Sequence, residues 1–145
     1  ALRSLAKADS ANAASVVASY LDYVSPRNRI SNTALNVLGT LDSTRAISVA
    51  IQRVSYGIAP STRSTALGIL GRYGKHDASV TSLCIGLLRD KDKGFRSAAA
   101  RTLDRLGDPA AIPALEEVAG DASNPARETA KQAVESLKKK QAGGH

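Results

Sequence analysis

Apolar side chains recur along this chain in steps of three and four residues, the spacing that predicts amphipathic helices. The clearest stretch is FRSAAARTLDRLGDPAAIPALEEVAG at residues 95–120, which divides into two such patterns around Gly107. Gly107 suits a left-handed helix stop, Asp108 can accept hydrogen bonds from free N–H groups, and Pro109 fits a first helical turn. The pattern therefore predicts a pair of helices joined by a short turn.

Weaker copies of this helical pair recur at intervals of 31 to 36 residues. The reference set of core positions is Arg96, Ala99, Leu103 and Leu106. The aligned sets are Ser31, Ala34, Leu38 and Leu41; Arg63, Ala66, Leu70 and Tyr73; Arg127, Ala130, Val134 and Leu137; and, at the start, Leu2 and Leu5. This spacing predicts one repeat domain over residues 1–141, with units at about 1–25, 26–57, 58–90, 91–121 and 122–141, and a disordered tail at 142–145.

Nine helices in antiparallel pairs follow from these units, counting an incomplete first helix over Leu2–Ala8. The second helix should run from Asp9 or Ser10 to about Val24, and the last from about Pro125 to Gln141. The predicted buried residues of the second helix are Val16, Val17, Tyr20, Leu21 and Val24. Because one pair cannot bury its own apolar stripe, the expected fold is all-α, a right-handed α-α superhelix of about four helical pairs plus a C-terminal helix. An irregular helical bundle is the alternative.

Composition agrees with stacked helices, since hydrophobic residues make up 43% of the 145-residue chain but aromatic residues only 3%. Alanine and leucine must supply the packing, and small side chains let helices approach closely. Cys84 stands in an apolar run and is predicted to be buried and inert. A single cysteine cannot form an internal disulfide.

The formal net charge of +7 raises the question of nucleic acid. The excess is spread along the chain, however, and its one dense run, Lys138–Lys140, would complement the negative end of the last helix dipole. No aromatic interleaving or nucleic-acid motif accompanies it. A protein partner is therefore favoured over nucleic acid, and a DNA-binding basic groove is the weaker alternative. No membrane partner is expected, because no signal-peptide or membrane-spanning pattern occurs, and the compartment is left open.

Catalytic and metal-binding motifs do not emerge from the sequence. Its two histidines, His76 and His145, and its one cysteine cannot supply three zinc ligands at standard spacing. There is no HExxH, CxxC or phosphate-binding glycine motif, and Glu116 and Glu117 fit a solvated helix face. We therefore expect no catalytic residue, metal or cofactor in this chain.

Three arginines, Arg63, Arg96 and Arg127, share one position near the start of successive repeats, and we call them the arginine column. One interpretation is an inter-repeat ladder in which each arginine reaches the preceding unit, with Asp90 and Asp121 or free carbonyl groups as acceptors. The other is a basic ridge that contacts carboxylates of a partner. The ladder is favoured.

The run FRSAAARTLDRLGDPAAIPALEEVAGD, with STRSTALGILGRYG before it and PARETAKQAVESL after it, resembles HEAT-type repeats over about residues 27–140. The closest similarity is to the degenerate class with an R-x-x-A-x-x-x-L-x-x-L-G-D-P core, also found in phycobiliprotein lyase-like proteins. This resemblance implies an α-solenoid. It leaves open the roles of scaffold, adaptor, chaperone-like lyase or appended domain.

A narrower resemblance lies in the order ALRSLAKAD, SYGIAPSTRSTALGILGRYGK and a D-K-G-F-R unit closing in a lysine-rich helix. It is similar to the C-terminal domain of bacterial and archaeal aminopeptidase-N-like zinc peptidases, the membrane alanyl aminopeptidase family. The resemblance implies a non-catalytic domain that packs beside or caps a catalytic domain, and zinc would belong only to that other domain. A chain that begins without Met fits a piece of a longer protein. The alternative is a stand-alone HEAT-repeat scaffold that binds a protein partner.

Overall fold

The computed structural model describes residues 10–143, with side chains from residue 12 onward. Within this range the chain forms eight α-helices and two short 3-10 turns, without a strand. The all-α class predicted from the sequence is thereby confirmed. The chain divides into two compact units, residues 1–73 and residues 74–145.

The first unit contains helices α1 to α4. Their bounds are α1 Ser10–Ala18, α2 Arg29–Leu41, α3 Ser43–Arg53 and α4 Pro60–Tyr73, with a 3-10 turn at Pro26–Asn28 before α2. Helix α2 packs against α1, α3 and α4, and α3 also packs against α4. The repeat positions Ala34, Leu38, Ala66 and Leu70 are fully buried, so the predicted apolar stripes face the core of this unit.

The second unit contains helices α5 to α8. Their bounds are α5 Ala78–Leu87, α6 Lys93–Leu106, α7 Ile112–Gly120 and α8 Arg127–Gly143, with a 3-10 turn at Pro109–Ala111 leading into α7. Helix α6 packs against α5 and α8, and α8 also packs against α7. Ala99, Leu103 and Ala130 are fully buried, and Leu137 is nearly so.

Aspartate side chains start several of these helices, because the first N–H groups of a helix have no partner inside it. Asp77 Oδ1 accepts a hydrogen bond from the Ser79 N–H at 2.9 Å, and Asp108 Oδ1 accepts from the Ala110 N–H at 2.9 Å. Gly107 ends α6 with φ 71°, a left-handed conformation that glycine adopts without strain. The cap predicted at Asp108 and the stop predicted at Gly107 are confirmed.

The end of α1 differs from the prediction. The helix stops at Ala18 instead of near Val24, and the next N–H groups bond three residues back, as in Ser19 N to Val16 O at 3.1 Å. This tighter turn moves the following residues out of the register of the helix. Val17 and Leu21 are buried as predicted, whereas Val16, Tyr20 and Val24 are 41%, 38% and 88% exposed. The predicted burial of these three side chains is wrong.

The two ends of the chain also bear on the predictions. Helix α8 extends to Gly143, so Ala142 and Gly143 lie in the helix and not in a tail. The incomplete helix predicted at Leu2–Ala8, together with His145, falls outside the described residues. The single repeat domain and the right-handed superhelix stay predictions.

Candidate functional site

Each arginine of the arginine column donates from its Nε to a backbone carbonyl oxygen near the end of the preceding helix. The bonds are Arg63 to Val54 at 2.8 Å, Arg96 to Asp90 at 2.6 Å and Arg127 to Ala119 at 3.3 Å. The last carbonyls of a helix lack partners inside it and carry the negative end of its dipole. A guanidinium at this place therefore satisfies a free acceptor and neutralises the dipole.

The acceptors of these bonds are carbonyl groups, one of the two kinds that the sequence suggested, and not the carboxylates of Asp90 and Asp121. Arg96 binds the carbonyl oxygen of Asp90, while Arg127 binds Ala119 two residues before Asp121. Arg63 is only 2% exposed, so little of its side chain could reach a partner. Arg96 and Arg127 are half-buried. These contacts support a structural role for the column, most strongly at Arg63.

Arg53, near the C-terminal end of α3, takes the place of the arginine that the second repeat lacks. Its Nη1 donates to Ser31 Oγ at 2.8 Å, and its Nη2 donates to the carbonyl oxygen of Leu21 at 2.8 Å. Ser31 is the residue aligned with the arginine column, and its hydroxyl also donates to Leu21 O. Arg53 does not stand out in the repeat pattern, because this residue comes from a different helix of the repeat. The available signal was the interruption of the column at Ser31.

A polar groove in the second unit contains one arginine of the column, Arg96. Its volume is about 280 Å³, and it is lined by Arg89, Arg96, Glu117, Val118, Asp121 and Asn124. Arg89 and Glu117 form an ion pair at the protein surface. Asp121 Oδ1 accepts from Ser123 Oγ at 2.6 Å and from Ser123 N at 2.9 Å. These bonds, with a smaller effect of the positive Arg96, lower the pKa of Asp121.

A second, more apolar depression adjoins this groove. Its volume is about 270 Å³, and it is lined by Ile85, Gly86, Leu88, Arg89, Ala114, Glu117 and Val118. Arg89, Glu117 and Val118 belong to both depressions, so we call the two together the α5–α7 groove. It offers two guanidinium groups, two carboxylates and an apolar floor, the combination that binds a peptide by charge and by side-chain burial.

Cys84 and His76, the described cysteine and histidine, lie in a buried helix position and in an exposed turn. Cys84 is fully buried, and its loss of hydration raises the pKa of its thiol to about 12. His76 is exposed in a turn with φ 68°. Among the described side chains, no three His, Cys, Asp or Glu residues lie close enough together to hold a metal ion. Over the same part of the chain, no helix has the length and apolar character that crossing a membrane requires.

Consecutive helices that pack on one another, short turns capped by aspartate and an arginine at a recurring position define a helical-repeat protein. The chain belongs to the HEAT repeats family, whose model matches residues 57–137. Comparisons with curated proteins and with solved structures give no match. The predicted HEAT-like repeats and the fold class, an all-α helical-repeat solenoid, are confirmed. Nothing in the comparisons links the chain to aminopeptidases.

HEAT-repeat domains are typically non-catalytic and generally mediate protein–protein contacts. Family membership therefore gives the general role of a protein-interaction scaffold.

Proposed function

We propose that this chain is a protein-interaction scaffold that binds a polypeptide segment in the α5–α7 groove. The observation that carries the proposal is the meeting of unlike charges with apolar surface along one groove. Arg89 and Glu117 lie at the shared edge of its two depressions, and Asp121 lines the polar one. Ile85 and Leu88 line the apolar one.

The Arg89–Glu117 ion pair is available to a partner. Its side chains are 72% and 66% exposed, and ion pairs this exposed contribute at most about 1 kcal/mol to stability. A partner carboxylate could replace Glu117 on Arg89, and a partner amide or cation could bind Glu117, at little cost to the fold. Exposed charges of this kind mainly set specificity and the rate of association.

A photo-crosslinking residue at Ala114 tests the groove directly. Ala114 lines the apolar depression, and Arg101, exposed on α6, is the matched control position. In cells that express the protein naturally, we expect a defined protein adduct from position 114 and little of it from position 101. Equal labelling at both positions, or no adduct at 114, would contradict the proposal.

A finer proposal is that the scaffold is the non-catalytic C-terminal domain of a zinc aminopeptidase. It is supported by the order of the segments ALRSLAKAD, SYGIAPSTRSTALGILGRYGK and DKGFR along the chain. In that case the groove would contact the catalytic domain of the same protein, and zinc would be held there. The alternative is a scaffold for a separate protein.

Sequencing the gene upstream of the Ala1 codon distinguishes these two cases. An HExxH motif with a glutamate about twenty residues later would support the aminopeptidase parent. A start codon or an unrelated domain at that place would overturn it. The crosslinking test of the groove does not depend on which of these results is found.

A further inference from the structure

Exposed apolar side chains are concentrated in one short stretch of the first unit. Six large apolar residues are exposed among the described side chains, and five of them fall within residues 16–30. They are Val16, Tyr20, Tyr23, Val24 and Ile30. Val24 is 88% exposed and Tyr23 is 54% exposed, and the Tyr20 and Tyr23 rings lie 6.3 Å apart. Scattered apolar residues are ordinary, whereas a contiguous exposed apolar patch is typical of an interaction surface.

A cleft lies beside this cluster, where the turn after α1 meets the start of α2. Its volume is about 410 Å³, and it is lined by Ser25, Pro26, Arg29, Ile30 and Thr33. We call this cleft, together with Tyr20, Tyr23, Val24 and Arg27, the loop cleft. Pro26 and Ile30 supply apolar lining, Arg29 lines the cleft as well, and the exposed Arg27 follows Pro26 in the turn.

Hydrogen bonds hold the loop cleft in shape. The Ile30 N–H donates to Ser25 Oγ at 3.1 Å, and Asn28 Nδ2 donates to Thr62 Oγ1 at 3.0 Å. Arg27 and Asn28 have φ of 55° and 53°, a left-handed conformation that asparagine tolerates but that costs a residue such as arginine about 1–2 kcal/mol. Such a turn persists only where its surroundings fix it, so the cleft is formed before any partner arrives.

The charged side chains around the loop cleft indicate which kind of partner it binds. Among the described residues, neither Arg27 nor Arg29 has an acidic partner. The one acidic side chain of this turn, Asp22, already pairs with Arg53 at 3.4 Å. A second copy of the chain would bring arginines against arginines, and the net charge of +7 opposes such an association further.

We propose that the loop cleft binds an acidic segment of another protein, a second docking surface independent of the α5–α7 groove. An aliphatic or aromatic side chain of that segment fills the cleft beside Ile30. One or two carboxylates of the segment pair with Arg27 and Arg29. Tyr23 and Val24 cover the remaining apolar surface of the segment.

Short random peptides displayed on phage test this inference without knowledge of the natural partner. The immobilised protein selects peptides after depletion on the Val24→Ser, Ile30→Ser double variant, whose substitutions change exposed side chains and leave the core intact. We expect enriched peptides to carry Asp or Glu within a few residues of Leu, Ile or Phe. Failure to enrich any peptide, or enrichment of basic peptides, would overturn the proposal.

A charge reversal tests the role of the arginines with the selected peptides. Arg29→Glu should weaken their binding about tenfold or more, because it removes an attraction and adds a repulsion. Arg45→Glu is the matched control, since Arg45 is an exposed arginine of the same unit in the first turn of α3. Equal loss of binding in both variants would mean a general charge effect and would contradict the proposed pairing.

The molar mass of the protein in solution tests whether a second copy of the chain occupies the loop cleft instead of an acidic segment. Light scattering should find a monomer over a range of concentrations. A dimer that the Val24→Ser, Ile30→Ser variant abolishes would assign the loop cleft to a second copy and overturn the acidic-segment proposal.

Discussion

A guanidinium that binds the end of the neighbouring helix is the recurring single-residue contact of this protein. Arg63, Arg96 and Arg127 do so from the start of a repeat, and Arg53 does so from the end of α3. The planar guanidinium suits this task because it can donate from one nitrogen to a carbonyl while its other nitrogens bind elsewhere. Lysine, with a single ammonium group, would lose this geometry.

The burial of Arg63 makes it the most sensitive member of the column. Arg63→Ala should lower the free energy of unfolding by about 2–4 kcal/mol, since it leaves a buried carbonyl without a partner and opens a cavity. Arg127→Ala should cost about 1 kcal/mol, because its bond is longer and its side chain half-buried. Urea unfolding followed by circular dichroism measures both. A smaller loss for Arg63→Ala than for Arg127→Ala would contradict this account.

Arg53 acts in place of the column arginine that the second repeat lacks, and this role can be tested with three variants. Arg53→Ala should destabilise the protein by about 1–2 kcal/mol, since Leu21 O and Ser31 Oγ both lose a charged donor. Adding Ser31→Arg to Arg53→Ala restores the arrangement of the other repeats and should recover at least about half of that loss. Ser31→Arg alone should destabilise, because two guanidinium groups then compete for one carbonyl. Urea unfolding of the three variants gives the comparison, and additive losses in the double variant would rule out the replacement.

The cap at Asp77 gives stability a defined pH dependence. Hydrogen bonds from the Ser79 hydroxyl and then from the Ser79 and Val80 backbone N–H groups lower the pKa of Asp77 from its ordinary value of 3.8. Because the pKa in the folded state lies below the unfolded value, the stabilisation is complete above that value. It is lost as the pH falls through the folded-state pKa.

Asp77→Asn separates the charge of the cap from its hydrogen bonds. Asparagine keeps the acceptor oxygen but does not titrate, so the variant should lose less stability than the wild type between about pH 5 and about pH 2.5. Thermal unfolding across this range measures the difference. Parallel pH profiles for the two proteins would show that Asp77 does not contribute.

At the scale of helices, the close approach of α2 and α4 depends on Gly39. A Cβ atom at this position would lie 2.6 Å from the ring of Tyr73 and 3.2 Å from Ile69 Cδ1. The repeat pattern around Gly39, with Leu38 and Leu41 beside it, gives no sign of this close contact. It appears only when the two helices are packed.

Alanine at two glycines should therefore have opposite effects. Gly39→Ala should destabilise by about 1–3 kcal/mol because the overpacking outweighs the gain in helix propensity. Gly68→Ala, inside α4, should stabilise by up to about 1 kcal/mol, since a Cβ there meets nothing within 4 Å. Chemical unfolding of both variants tests the pair. A stabilising Gly39→Ala would show that the helices can move apart at no cost.

Local sequence signals predicted these helices well where a cap and a stop were both present. Gly107 and Asp108, between α6 and α7, are examples, because a single φ angle and a side chain decide the boundary. The end of α1 was not predictable, since the apolar spacing continues to Val24 although the backbone tightens after Ala18. Arg53 was equally hidden, because its role depends on how α3 lies against Leu21 and Ser31.

At the scale of the whole molecule, many of the basic side chains bind other groups of the same chain. Four arginines bind backbone carbonyls near helix ends, and other basic side chains pair with acids, as Lys138 does with Glu116 and Lys140 with Asp104. The net charge is therefore weaker evidence for nucleic-acid binding than its size alone suggests. The two units carry surfaces of different chemistry: an apolar cleft edged by arginine in the first, and a mixed-charge groove in the second.

The most direct test of the scaffold function is to exchange the charges of the ion pair in the α5–α7 groove. The Arg89→Glu, Glu117→Arg double variant keeps an internal pair, so its unfolding free energy should stay within about 0.5 kcal/mol of the wild type. The yield of the adduct at position 114 should nevertheless fall about tenfold, because the partner now meets reversed charges. An undiminished yield from the stable double variant would contradict the account.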